Sequence, residues 1–328
     1  MRRALIVGHT GQDGRILWDQ LAAKGFVLVG ISRNEVREHK SQWADAIDIA
    51  NPDSVRNLVD RFRPDQIYYL AAYHHSSQDR AVQESRLWQG SLSVHVQSFL
   101  NFLDAIRQCH PAARIFYAGS SRVFGETPAS PQTESTPFRP TCLYGITKAS
   151  GIMLADYYRR AYNIHASCGI LFNHESPLRG QQFVSQRVAH GLVAIKTGRA
   201  RHLEVGDLNA RIDWGYAPDY TRAMQSILEA ETASDFVVAT GETHSVREMI
   251  EIAAEFLNIS WEECVVENLK ILQRNSQQLC GDSTHLRRTT GWRPSVSFRD
   301  LVQIMVKAAL ASAAQAIPAS ASTVQGDR

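Results

Sequence analysis

Tyr144 and Lys148 stand four residues apart in "YGITK", a spacing that puts both side chains on one face of a helix. A phenol beside an ammonium is a proton-exchange device. The positive charge lowers the phenol pKa, so its oxygen can trade a proton with an alcohol while hydride leaves or joins the alcohol carbon. YxxxK alone occurs by chance, and its weight here comes from what precedes it. The apolar run 115–121, "IFYAGSS", ends in Ser120 and Ser121, followed by Arg122. Ser120 or Ser121 can supply the hydroxyl that orients a reacting oxygen; the plainer role for such serines is to satisfy backbone groups at a strand end.

Hydride chemistry needs a carrier, and the N-terminus offers a place for one. Gly8, Gly11 and Gly14 of "GHTGQDG" follow the apolar run 4–8 and open a helical pattern. Backbone amides at such a helix start can face a pyrophosphate, with glycines permitting close approach. At the end of the second apolar run, "GISRNE" presents Arg33 and Asn34 and no strand-end carboxylate for a ribose 2′-hydroxyl. A guanidinium there suits a 2′-phosphate, which favours NADP, while Glu35 keeps NAD open. Asp48, after an apparent third strand in "AIDIAN", is placed either to bond an adenine or to cap a helix.

The elements that must position these residues alternate regularly. Apolar runs at 4–8, 27–31, 67–72, 115–121 and 165–172 read as buried strands; segments 14–25, 53–64, 94–109 and 147–162 carry helical periodicity. The alternation predicts an α/β fold, a Rossmann-type doubly wound parallel sheet, over residues 1–172. Beyond it, shorter elements predict a smaller C-terminal substrate-binding lobe over 173–312, with some segments returning to the first domain. An Ala- and Ser-rich tail follows at 313–328.

Composition narrows the class. A formal net charge of +2 with 21% charged residues lacks the dense basic surface of a nucleic-acid binder. Five scattered cysteines without CxxC spacing argue against a disulfide framework or a zinc site, and no carboxylate-rich cluster suggests another metal. No run approaches a membrane span or a signal peptide, so a soluble, cytoplasmic protein is expected.

Taken together, the glycine loop, the YxxxK pair, "LFNHESPLRG" (171–180), "GDLNARIDWGYAPDY" (206–220), "ATGETHSVREM" (239–249) and "GWRPSVSF" (291–298) resemble an extended short-chain dehydrogenase/reductase. The narrower motifs resemble the GDP-mannose 4,6-dehydratase family in particular. The resemblance implies catalysis by Ser120, Tyr144 and Lys148. It places NADP contacts on Gly8, Thr10, Gly11, Gln12, Asp13 and Gly14, on Arg33 and Asn34, and on Asp48 and Ile49. Further contacts fall on Leu70, Ala71, Ala72 and His74, on Lys148, and on His174 and Arg179. Ser121, Arg122, Asn173, Val184 and Arg187 would face a GDP-sugar, with Arg211 and Arg274 as candidates for its diphosphate. A homodimer or homotetramer is also implied.

The chain departs from that pattern at its most reactive position. Where the family has the glutamate that removes the C5 proton of a 4-keto sugar, this sequence has Arg122. A guanidinium cannot accept a proton at neutral pH. Glu126 and Glu175 are the nearby carboxylates that could substitute, and His74 or His75 could do acid/base chemistry near the cofactor. Three readings follow: a dehydratase with a substituted base, a 4-keto-sugar reductase or epimerase that needs no such base, and a noncatalytic paralogue. The intact Tyr144 and Lys148 speak against the last.

Overall fold

Short β-branched and aromatic runs bounded by turn residues form the strands of a computed structural model that describes residues 1–41, 43, 46–73, 84–271 and 278–315. The first half contains β1 (Arg3–Val7), α1 (Gln12–Ala23), β2 (Val27–Ile31), β3 (Val36–His39), α2 (Pro52–Phe62) and β4 (Gln66–Tyr69). It continues with α3 (Glu84–Leu92), α4 (Ser98–Cys109), β5 (Arg114–Ala118), α5 (Leu143–Tyr162) and β6 (His165–Leu171). The second half holds β7 (Asn173–Glu175), α6 (Val184–Lys196), β8 (Leu203–Val205), β9 (Arg211–Ile212), β10 (Trp214–Tyr216), α7 (Ala217–Glu229) and β11 (Asp235–Val238). β12 (His244–Ser245), α8 (Val246–Leu257), β13 (Val265–Glu267), α9 (Thr284–Thr290) and α10 (Phe298–Gln315) complete it.

Seven strands pair in the order β11-β6-β5-β4-β1-β2-β3, parallel except for the antiparallel edge strand β3. This is the expected doubly wound Rossmann-type sheet. Each face carries a core: Val55, Leu58, Phe99, Phe102 and Ile152 cover one, and Leu17, Trp18, Tyr220, Met224 and Trp292 the other. Because both faces are covered, the central strands are apolar without alternation, as in "ALIV" of β1. β11, α7 and α9 pack with the sheet although they come late in the chain. A third core, from α6, α8, α10 and strands β8 and β10, forms the lobe.

Three boundaries differ from the sequence reading. The third strand is Val36–His39, not "AIDIAN": Ser32 N–H donates to the Glu35 carbonyl at 2.9 Å, so β2 folds straight back into a hairpin and fills the sheet edge. Residues 46–48 then run without a strand partner toward α2. The helix predicted from 94 begins at Glu84 and is interrupted by a wider turn at Ser93–Gln97, a π-helical segment. The carbonyls of Val94 and His95 in that turn accept the Tyr69 and Tyr117 hydroxyls at 2.6 and 3.1 Å. α10 continues to Gln315, into the segment expected to be a tail, because Ala313 still packs on the lobe core.

Candidate active site

The carboxyl ends of β1, β2, β4, β5 and β6 open into one cleft of about 1080 Å³ that continues between the sheet and the lobe. The crevice beyond the strand ends, where the strand order reverses between β1 and β4, is where open α/β sheets take ligands. At its centre the chain leaves β1 through Gly8, which has φ +96° and lies so close to the end of β4 that a Cβ would meet Ala71 N at 2.8 Å. Gly14 packs against the same turn, a Cβ there meeting the Gly8 carbonyl at 2.4 Å. Any larger residue at either place would push the loop off the sheet. Gly11, the residue before α1, has only the Gly8 carbonyl, at 3.5 Å, within reach of a Cβ, and no side chain caps the helix. The first amides of a twelve-residue helix are thus presented at the cleft, a cradle that fits a pyrophosphate.

The loop is held by residues more than 160 positions away. His174 Nδ1 lies 2.7 Å from the Phe172 carbonyl and Nε2 3.0 Å from Asp13 Oδ2. Both neighbours accept only, so the ring donates from both nitrogens as an imidazolium. Burial disfavours its charge, but the Asp13 carboxylate outweighs burial and raises its pKa; against the same burial, His174 lowers that of Asp13. Tyr220 stacks on the ring at 4.6 Å. Gln12 donates to the His174 carbonyl at 3.1 Å and accepts from the Ser176 hydroxyl at 2.9 Å. "NHES" therefore clamps the start of α1.

Tyr144 and Lys148 lie in the first turns of α5 and both line the cleft. Lys148 is buried, donates to the Ala118 carbonyl at 2.8 Å, and holds Nζ 5.7 Å from the centre of the Tyr144 ring. Burial pushes the lysine down to about 7 and the phenol up to about 12. The expectation that the ammonium lowers the phenol pKa is corrected here: burial dominates Tyr144, and the opposing pull comes from Arg179 and Arg122. Ser120 and Ser121 line the same wall, where the Ser120 hydroxyl accepts from Arg122 N–H at 3.3 Å.

Other predicted positions divide. Thr10, Gln12, Asp13, Arg33, Asp48, Ile49, Leu70, Ala71, Ala72, Arg122, Asn173, His174, Arg179, Val184 and Arg187 line the cleft. Asp48 takes the Ala50 N–H at 2.9 Å and leaves the capping of α2 to Asn51. Asn34 is exposed at the hairpin tip and does not line the cleft. Arg211 is drawn away from it by Glu248, at 2.9 Å, while the next residue, Ile212, faces it. Glu126 is exposed outside the cleft; Glu175 is buried outside it, bonded to Ser185 at 2.7 Å and paired with Arg179 at 3.3 Å. Neither carboxylate fills the place of a base. His74, His75 and Arg274 lie outside the described residues.

The family model for GDP-mannose 4,6 dehydratase matches residues 5–305. The chain belongs to the GDP-mannose 4,6-dehydratase family. Relatives in this family include the GDP-mannose 4,6 dehydratase of Drosophila melanogaster, 36% identical over 93% of this chain and 85% of that protein. The human GDP-mannose 4,6 dehydratase is 33% identical over 93% and 90%. Among solved structures, RMD from Pseudomonas aeruginosa complexed with NADPH superposes with a TM-score of 0.81 at 22% identity, covering 95% of this chain and all (100%) of that one. UDP-glucose 4-epimerase from Thermotoga maritima gives a TM-score of 0.80 at 18% identity over 95% and 99%. The family match runs from β1 into α10, so sheet and lobe belong to it together.

Two features of the site escaped the sequence reading. His95, fully buried in the π-helical turn, sets its ring edge-on to Tyr144 at 5.2 Å. Its Nε2 accepts from Tyr73 N–H at 2.9 Å and its Nδ1 meets the Thr147 hydroxyl at 2.8 Å. The irregular turn carried no signal in a pattern that read as ordinary helix. Cys142 lines the cleft at the N-cap of α5, its sulfur accepting Gly145 N–H at 3.5 Å; only its place two residues before Tyr144 could have pointed to it.

Proposed function

We propose that this chain is an NADP-dependent nucleotide-sugar enzyme that exchanges hydride at C4 of a GDP-linked hexose, and that its net reaction is reduction or epimerisation there. The observation that carries the reading is the composition of the β5 end: Ser120, Tyr144 and Lys148 converge on the cleft, and Arg122 stands beside them. Among the described residues, the carboxylates facing the cleft are Asp13, committed to His174; Asp48, at the β2 side; and Asp207, which accepts Asn209 N–H at 2.8 Å. None lies on the segment bearing the serines or on α5. Elimination across C5 and C6 needs a base for the C5 proton; hydride exchange at C4 does not.

The glycine cradle and the uncapped start of α1 fit the pyrophosphate of a nicotinamide dinucleotide, with Asp48 and Ile49 toward its adenine and Lys148 toward a ribose. Bound there, the cofactor supplies a hydride acceptor or donor. Tyr144 holds or moves the hydroxyl proton at its phenolic oxygen, Ser120 orients the sugar oxygen, and Lys148 contributes positive charge when protonated. Support for NADP over NAD comes from the hairpin tip: Arg33 lines the cleft, whereas the Glu35 carboxylate does not and lies 3.1 Å from His9 Nε2.

Replacement of Tyr144 by Phe tests the assignment. Hydride exchange with a GDP-sugar should fall by about a hundredfold to ten-thousandfold, the usual worth of a positioned proton carrier. Cofactor binding, followed by fluorescence, should be retained. Wild-type turnover in the variant would remove Tyr144 from the mechanism.

A further inference from the structure

Arg122 is more than a missing base. Arg179 pairs with Glu175 at 3.3 Å and stacks 3.6 Å over the Phe183 ring; Arg187 donates to the Glu204 carbonyl at 2.9 Å; Arg211 pairs with Glu248 at 2.9 Å. Among the described residues no carboxylate lies within ion-pair distance of Arg122, although the residue lines the cleft and is exposed. Its backbone is fixed. Ser120 Oγ accepts its N–H at 3.3 Å, and a Cβ added to Gly145 would meet its carbonyl oxygen at 2.5 Å. Arg122 thus abuts the helical turn that carries Tyr144, and its charge is felt there, drawing the phenol pKa down.

Position in the sheet separates this cation from the one assigned to the cofactor. Arg33 follows β2 and Arg122 follows β5, with β1 and β4 between them, a span of roughly 14 Å at the usual strand spacing. The 2′-phosphate reached by Arg33 is therefore not the anion for Arg122. If Tyr144 addresses the oxygen on C4, a cleft-lining cation carried by the backbone against its turn is placed for the substituents of the neighbouring carbons. In a hexopyranose linked to a nucleotide at C1, the exocyclic carbon C6 is the one beside that position that can be a carboxyl group.

We infer that the substrate is a nucleotide-linked hexuronate whose C6 carboxylate pairs with Arg122. A planar guanidinium matches a carboxylate in bidentate fashion, whereas a neutral hydroxymethyl group at C6 offers it no charge. The same assignment accounts for the absent base: a C6 carboxylate bears no hydroxyl to expel, so the C5 proton need not be removed. The inference rests on the C4 oxidoreduction proposed above and narrows its substrate class.

Calorimetric binding of GDP-mannuronate and GDP-mannose to the NADP⁺-loaded protein, wild type and Arg122→Gln, tests it, with thermal melting to verify folding. The wild type should prefer the uronate by about tenfold to a hundredfold, the worth of a charge-assisted pair, and Arg122→Gln should collapse that ratio toward unity. Equal affinity of the wild type for both sugars, or a preference that survives in the variant, overturns the inference. Configuration and deuterium content at C4, read by NMR in the same samples, separate the two levels, because an epimerase returns its hydride and accumulates no NADPH. A collapsing preference without hydride exchange supports the carboxylate site and refutes C4 chemistry; hydride exchange without a preference does the reverse.

Discussion

The two ends of the cleft are built differently. At the β1 end, Gln12, Asp13, His174, Ser176 and Tyr220 form an interlocked, largely buried set in which a carboxylate and an imidazolium neutralise each other. At the β5 end, Arg122 lines the cleft with no carboxylate paired to it among the described residues, beside a lysine and a phenol whose charged forms are both disfavoured by burial. A self-satisfied network is a rigid frame for a group that is always the same. An uncompensated cation is a selective element, since its interaction is completed only by a ligand that brings the anion. The difference teaches that charge at the β1 end is balanced within the protein, whereas charge at the β5 end is left for a ligand.

Breaking the cofactor end should give the larger of two effects. Arg33→Ala removes a charge-assisted contact to a 2′-phosphate, so NADP affinity should fall by about tenfold to a hundredfold with NAD little changed. Titration of both dinucleotides checks this, and equal loss for the two would end the argument from the hairpin tip. A smaller effect should sharpen the β5 end. Lys148, held near 7 by burial, loses its proton as pH rises through about 7, far below the usual lysine value. If its charge supports turnover, kcat/KM should decline a few-fold on the alkaline side of that point. Lys148→Arg, which does not titrate in that range, should flatten the limb. A limb unchanged in the variant assigns it to another group.

Much of this was legible in the sequence for identifiable reasons. Gly8, Gly11 and Gly14 are dictated by close backbone approach, and Tyr144 and Lys148 by a helical repeat, so both stand out in one chain. Arg122 was conspicuous because a guanidinium cannot do a carboxylate's work. What was hidden depends on contacts between distant segments. That Asp13 is spent on His174, that Arg211 is spent on Glu248, and that His95 faces Tyr144 are products of folding, not of spacing. The phenol pKa was misjudged for the same reason: proximity to Lys148 is local, but the burial that pushes Tyr144 up to about 12 comes from the assembled cleft. The third strand was misplaced because the hairpin at Ser32–Glu35 is set by a tight turn, while "AIDIAN" has the apolar content of a strand but joins no sheet.

The most direct test follows a deuterium placed at C4. With a GDP-hexose or GDP-hexuronate labelled there and NADP⁺ supplied, the wild-type protein should deliver the label to the cofactor or return it to C4, with no 4-keto-6-deoxy product. In parallel, Arg122→Glu should begin to form that product from GDP-mannose. Passage of the label from C4 to C6 in the wild type, the mark of elimination followed by hydride return, would contradict the account.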